Sequence, residues 1–306
     1  SMRAKLQQPR RDTWRRIRQN RQHYLLMLPF LLTFFLFTLL PVLLSMILSF
    51  TNYDMLSVPR FVGWENFRRL FFDDEVFWIA VKNTLIFAVF TGPISYVLCF
   101  GFAWLINELG TKLRTVCTTI FYAPALSGQA YVVFLYLFSA DQYGIINGML
   151  MNMGILKEPV AWLSDPAYNM TVLIIVQLWL SLGTGFLAFI AGLQSVDSTL
   201  YEAGAIDGIR NRFQELWYIT LPSMVPQLVF GAVMQIVSSF TAADVPMALT
   251  GFPSAEYATQ TIVSHILDYS TLRYELGYAS AVAVFLFVLM IVSNKAVGKL
   301  LRAVGH

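Results

Sequence analysis

Long apolar runs separated by polar loops dominate the chain. Runs of roughly 20 apolar residues, enough to cross a ~30 Å hydrocarbon core at 1.5 Å per residue, fall at about 24–50, 83–106, 116–138, 169–192, 225–247 and 277–298. The pattern predicts an all-α integral membrane protein with six transmembrane helices. A basic segment precedes the first run, as in a signal peptide. That run is too long for such a peptide and no small-residue cleavage site follows it, so it is expected to remain as an anchor.

The runs are punctuated. Pro29 and Pro41 lie in the first, Gly92-Pro93 in the second, Pro124 and Gly128 in the third, and Gly183 and Gly185 in the fourth. Broken helices at membrane depth are tolerated where the freed backbone faces protein or a water-filled cavity, and transporters place substrate sites at such breaks.

Polar residues within the runs also share a depth. The midpoint of the fourth run falls among Gln177, Trp179, Ser181 and Thr184, and that of the fifth beside Gln235, Ser238, Ser239 and Phe240. Gln177, Ser181 and Thr184 share a helical face, as do Gln235, Ser238 and Ser239. Uncharged hydrogen-bonding groups beside aromatic rings suit a neutral polyhydroxylated ligand. The same groups can serve as hydrogen-bonding glue between helices, and the sequence leaves both roles open. Asp244 is the one acid clearly inside a run. It lies about 26 Å along the helix from Gln227, near an outer surface, where solvation in a vestibule is expected rather than ion coupling.

Composition agrees with the pattern: 57% of residues are hydrophobic and 13% charged, with mean hydropathy +0.61, against about 25% charged in soluble domains. The net charge of +3 gives no reason to expect nucleic acid. The distribution of charge is more informative. With both termini in the cytoplasm, Arg3, Lys5, Arg10, Arg11, Arg15, Arg16, Arg18, Arg21, Lys112, Arg114, Arg210, Arg212, Lys295, Lys299 and Arg302 lie inside. Only Arg60, Arg68, Arg69, Lys82, Lys157 and Arg273 lie outside, as the positive-inside rule requires. Residues 1–23 then form a basic cytoplasmic tail beside the anionic inner leaflet. In the external 51–82 loop, "WENFRRLFFDDEVFW" predicts an amphipathic helix at the interface.

Candidate chemistry is sparse. Cys99 and Cys117 lack metal or disulfide spacing, and His23, His265 and His306 are scattered. No phosphate-binding loop, zinc-protease or nucleophile-elbow motif occurs, so no cofactor site is expected in this chain.

One cytoplasmic segment is charged and amphipathic between two apolar runs: residues 201–222, YEAGAIDGIRNRFQELWYITLP. Thr199 three residues before Glu202 has capping-box spacing, and Asp207-Gly208 supplies a helix stop. Asn211 can cap a second helix, with Gln214 at its third position. Phe213, Leu216, Trp217 and Leu221 share an apolar face, and Pro222 is expected to close the helix.

The "EAGAIDG" and "ITLP" of this segment resemble the EAA motif in membrane subunits of type I binding-protein-dependent ABC importers. "FVGWENFRRL", "AWLSDP", "LTGFPS" and "GYASAVAVFLF" extend the resemblance to the carbohydrate-uptake, maltose-type branch. Gly204 departs from the usual second Ala, and ten residues rather than nine separate Gly208 from Ile219.

The resemblance implies a permease domain over 24–306, with a coupling loop at 195–222 that docks on a cytoplasmic ATPase subunit. Glu202, Ala203, Gly204, Asp207, Gly208, Leu221 and Pro222 would form the coupling element, with Glu202 pairing to a basic group and Gly208 making the turn. Substrate-contact positions would fall near Ser181, Thr184, Gln235 and Ser239. The implied partners are ATPase subunits carrying ATP and Mg, a second and paralogous permease chain, an extracytoplasmic solute-binding protein, a sugar substrate and membrane lipid, all at a bacterial cytoplasmic membrane. The competing readings are an ion-coupled secondary carrier, a permease for a non-sugar solute, and a membrane enzyme.

Overall fold

The computed structural model describes residues 20–304, so the predicted 1–23 tail lies almost wholly outside the described residues. Within them, five helical runs are long and apolar enough to cross a membrane: Gln22–Leu48, Glu75–Asn107, Asn169–Ser195, Val225–Thr250 and Leu276–Lys299.

The first run comprises α1 (Arg21–Phe34), a π turn (Phe35–Leu39) and α2 (Leu40–Leu48). Pro29 sits inside α1 without breaking it. Proline cannot donate to the helical ladder, and just before Pro41 the Leu40 N–H reaches back to the Phe35 carbonyl, widening one turn. The most apolar window of this run buries none of its residues.

A short amphipathic helix, α3 (Glu65–Phe72), precedes α4 (Glu75–Asn107). The expected interfacial helix is therefore two helices, because Asp74 caps α4 by accepting from the Phe77 N–H. Through its 33 residues α4 is continuous, and Pro93 does not interrupt it. It packs against both halves of the fourth span, against the fifth, and against the helix at Ile262–Leu267.

The predicted third span does not form one long helix. It is divided into α5 (Thr111–Ser127) and α6 (Val132–Leu137), with Gly128 in the left-handed conformation at the joint. α7 (Ile145–Asn152) follows in the next loop, which is organised by the buried Asn147. That side chain donates to the Ser139, Asp141 and Val160 carbonyls and accepts from the Trp162 indole.

The fourth span is also divided, into α8 (Asn169–Leu180) and α9 (Thr184–Ser195), as Gly183 suggests. After α10 (Ser198–Ile206), α11 (Arg212–Glu215) and α12 (Leu221–Ser223), the fifth span is α13 (Val225–Phe240) followed by α14 (Asp244–Thr250). α15 (Ile262–Leu267) and a π turn (Asp268–Leu272) lead to α16 (Leu276–Val304).

Three apolar clusters hold these helices together. One joins α3, α4, α15 and α16 through Leu70, Phe77, Ile262 and Val282. Another joins α4, α9 and α13 through Cys99, Phe186, Phe189 and Leu228. The third joins α4, α8 and α14 through Phe87, Leu173 and Leu249. α4 belongs to all three, which makes it the axis of the bundle.

Candidate functional site

The segment between α9 and α13 folds as a helix pair. Asp197, not Thr199, caps α10, accepting from the Thr199 N–H at 3.0 Å. α10 stops at Asp207, and Gly208 turns the chain with φ +96°, a conformation that carries little strain only for glycine. Asn211 caps α11 by accepting from the Gln214 N–H at 2.8 Å, and Gln214 accepts in turn from the Arg210 N–H.

Pro222 does not close the second helix. α11 runs through a π turn (Leu216–Thr220) into α12, and the joint falls at Met224. The Leu221 N–H bonds to the Leu216 carbonyl just before Pro222, repeating the arrangement at Pro41. A π turn holds one residue more than an α turn.

The two helices pack closely. A Cβ on the buried Gly204 would come within 2.6 Å of Ile219 Cδ1, so glycine permits this approach. Tyr201 and Thr220 share a hydrogen bond beside it. The pair is tied to the end of α4 by Arg212, whose Nε is 3.4 Å from Glu108 and whose Nη1 is 2.7 Å from Glu215. Trp104 and Phe213 add a ring contact at 5.5 Å. Trp104, Glu108, Tyr201, Arg212, Glu215 and Thr220 line a polar, partly open cavity of about 170 Å³.

Elsewhere the pair is open. Glu202, Ala203, Asp207, Gly208 and Pro222 are exposed and Leu221 is half-buried. So are the large apolar side chains Ile206 (88% exposed) and Trp217. Apolar side chains this exposed beside a polar rim mark an interaction site.

At midspan the structure separates the predicted polar cluster. Gln235 and Ser239 are buried and line a groove of about 470 Å³ between α4, α13 and α16, with Gly92, Tyr96, Phe240 and Ser293. Gln235 Nε2 donates to Cys99 Sγ at 3.2 Å and to the Ser181 carbonyl at 3.4 Å, and Cys99 Sγ donates to that carbonyl at 3.3 Å. The side chains thus satisfy backbone freed by the α8–α9 break. Ser181 Oγ and Ser239 Oγ donate to carbonyls of their own helices.

Other members point elsewhere. Trp179 is exposed in a second groove, of about 440 Å³, with Phe102, Phe121 and Pro124. Gln177 is half-buried and Ser238 exposed, and neither lines these two grooves. Thr184 opens α9, and its side chain lies outside the described residues. Asp244 is exposed at the start of α14.

A buried polar junction at the other end of α4 carries no sequence signal. Asp74 accepts from Tyr278 at 2.6 Å, from the Phe77 N–H at 2.8 Å and from His265 Nε2 at 3.0 Å, with Tyr269 at 3.4 Å. Burial alone would raise the Asp74 pKa, but the bonds from His265, Tyr278 and Phe77 outweigh it and hold the carboxyl well below the usual carboxylate range. Its partners lie about 190–200 residues away in sequence, and no local spacing connects them.

Comparison with known proteins identifies the class. Residues 23–305 match the family described as binding-protein-dependent transport system inner membrane component, and the chain belongs to that family. It is a multi-pass membrane transport component that operates with a binding protein, and ATP hydrolysis in such systems resides in a separate subunit. It is 31% identical over 277 residues to the probable ABC transporter permease protein YesP of Bacillus subtilis, covering 89% of this chain and 88% of the relative. It is 30% identical over 261 residues to the lactose transport system permease protein LacF of Rhizobium radiobacter, covering 83% and 85%. A chain from a bacterial alginate ABC transporter, solved with an alginate pentasaccharide-bound periplasmic protein, has the same fold. The TM-score is 0.74 at 23% identity, covering 95% of this chain and 98% of that one.

Proposed function

We propose that this chain is the permease subunit of an ATP-driven importer that carries a neutral sugar or oligosaccharide across a bacterial cytoplasmic membrane. The observation that carries the reading is the helix pair at 198–223, which exposes Ile206 and Trp217 and is fastened to α4 through Arg212 and Phe213. A partner that moves this pair moves the axis of the bundle.

The charge distribution supports a cytoplasmic location for the pair and for both termini, with α5 and α6 making the sixth crossing in two pieces. ATP and Mg would act on cytoplasmic ATPase subunits seated against Glu202, Ala203, Asp207 and Gly208. A second permease chain would cover the unburied first span. The grooves lined by Gln235, Ser239 and Trp179 are the candidate route for solute, and Gln235 and Ser181 also brace the break in the fourth span. Sugar specificity is supported by relatives named for lactose, arabinooligosaccharide and trehalose/maltose transport.

The test is reconstitution of the complex purified from native membranes, followed by ATPase assays with its binding protein across a panel of neutral and acidic sugars. Stimulation by one neutral sugar class supports the reading. Stimulation only by an amino acid, a peptide or an ion gradient would contradict it.

A further inference from the structure

The segment joining the first two spans carries an exposed surface that solute transport does not explain. Its inner face belongs to the fold: Asn66 and Leu70 of α3 are buried. Its depth is fixed by the ends of three spans. Asn66 Nδ2 donates to the Ser49 and Thr51 carbonyls at 2.9 and 2.7 Å, just after α2 ends. α4 begins at Glu75, shortly after α3 ends at Phe72. Arg69 pairs with Glu275 and lies over the Tyr278 ring at 4.4 Å, where α16 begins, and the Gly277 N–H bonds to the Tyr53 carbonyl at 2.9 Å. α3 therefore lies at the level where these spans leave the hydrocarbon.

Its outer face is aromatic. Trp64, Arg68 and Phe72 are spaced four residues apart and all are exposed, Phe72 by 81%. Phe61, Val58 and Leu56 extend the patch, the last 92% exposed. Trp and Phe with arginine at this depth form an interfacial surface. Beside them is a concavity of about 480 Å³ lined by Trp64, Glu65, Arg68, Arg69 and Asp73. Arg69 is committed to Glu275, whereas Arg68, Glu65 and Asp73 form no ion pair among the described residues. One guanidinium beside two carboxylates complements a headgroup that carries both signs.

We propose that α3 is a phospholipid-docking helix: its Trp64–Arg68–Phe72 face seats in the leaflet interface, and the concavity holds a zwitterionic headgroup with phosphate against Arg68 and ammonium against Glu65 and Asp73. The inference requires the membrane spans and not the sugar reading, so failure of either leaves the other standing.

The test uses the full-length protein in nanodiscs of phosphatidylethanolamine brominated near the headgroup end of its chains, with the Trp64→Phe variant subtracted to isolate Trp64. Trp64 emission is expected to be quenched, and less so when bromine is near the methyl end. Native mass spectrometry from mixed detergent and lipid is expected to show retained phosphatidylethanolamine exceeding phosphatidylglycerol. Arg68→Gln should reduce that retention about fivefold, the scale of one basic contact at a membrane surface, while Arg68→Lys keeps most of it. Absence of Trp64 quenching, preference for phosphatidylglycerol, or unchanged retention in folded Arg68→Gln would overturn the proposal. Shielding of Trp64 by added binding protein in place of lipid would do the same.

Discussion

The Tyr201 hydroxyl lies 2.9 Å from Thr220 Oγ1, and this bond joins the first helix of the 198–223 pair to the π turn of the second. Gly204, one turn along α10 from Tyr201, lets Ile219 of the same π turn approach. The pair can therefore move as one body, which a coupling element requires.

Enlarging Gly204 is expected to separate the helices. Gly204→Val should cost about 1–3 kcal/mol, the usual range for overpacking, and lower ligand-stimulated ATPase activity more than basal activity. Gly204→Ala should be milder, because the nearest atom is the flexible end of Ile219. Adding Ile219→Ala to Gly204→Val should restore part of the melting temperature. A double variant no more stable than the single one would exclude this contact as the cause.

Asp74→Asn removes the charged acceptor at the other end of α4. The expected loss is about 1–3 kcal/mol, the scale for disrupting buried hydrogen bonds, read as a lower melting temperature in detergent at neutral pH. A carboxyl whose pKa is depressed by folding contributes stability above its unfolded value, near pH 4. That contribution disappears as pH falls through the folded value. The gap between wild type and variant should thus be constant across the neutral range and narrow only below about pH 4. A gap that narrows between neutral pH and pH 5 would point to a different group.

Gln235 and Ser239 line one groove but hold different positions in the fold. Gln235 reaches across to Cys99 and the Ser181 carbonyl, whereas the Ser239 hydroxyl bonds within its own helix. Gln235→Leu is therefore expected to lower stability by about 1–2 kcal/mol. Ser239→Ala should cost about 0.5–1 kcal/mol, the net loss of one hydrogen bond within its own helix, while raising the KM for transport. Unchanged transport kinetics in folded Ser239→Ala would remove that groove from the solute route.

Much of this architecture is legible in the sequence, for local reasons. Asn211 three residues before Gln214, Gly208 after Asp207, and Gly183 within an apolar run each act through their own backbone, and the structure places a cap, a turn and a break there. Pro93 and Pro222 predict helix interruptions that do not occur, since α4 continues through the first and a π turn precedes the second. Gln235 and Ser239, which share a depth in the sequence, line one groove, but a shared depth does not place Gln177 or Ser238 there. Asp74, His265 and Tyr278 meet through tertiary packing alone, which no helical period records.

If the 198–223 helix pair seats a cytoplasmic ATPase as proposed, Glu202→Arg should unseat it. Glu202 is exposed on α10, so reversing its charge should leave the permease folded and in the membrane. The measurement is co-purification of the ATPase with the variant, alongside sugar uptake. Loss of both from a folded permease is predicted; normal co-purification and normal uptake would contradict the account.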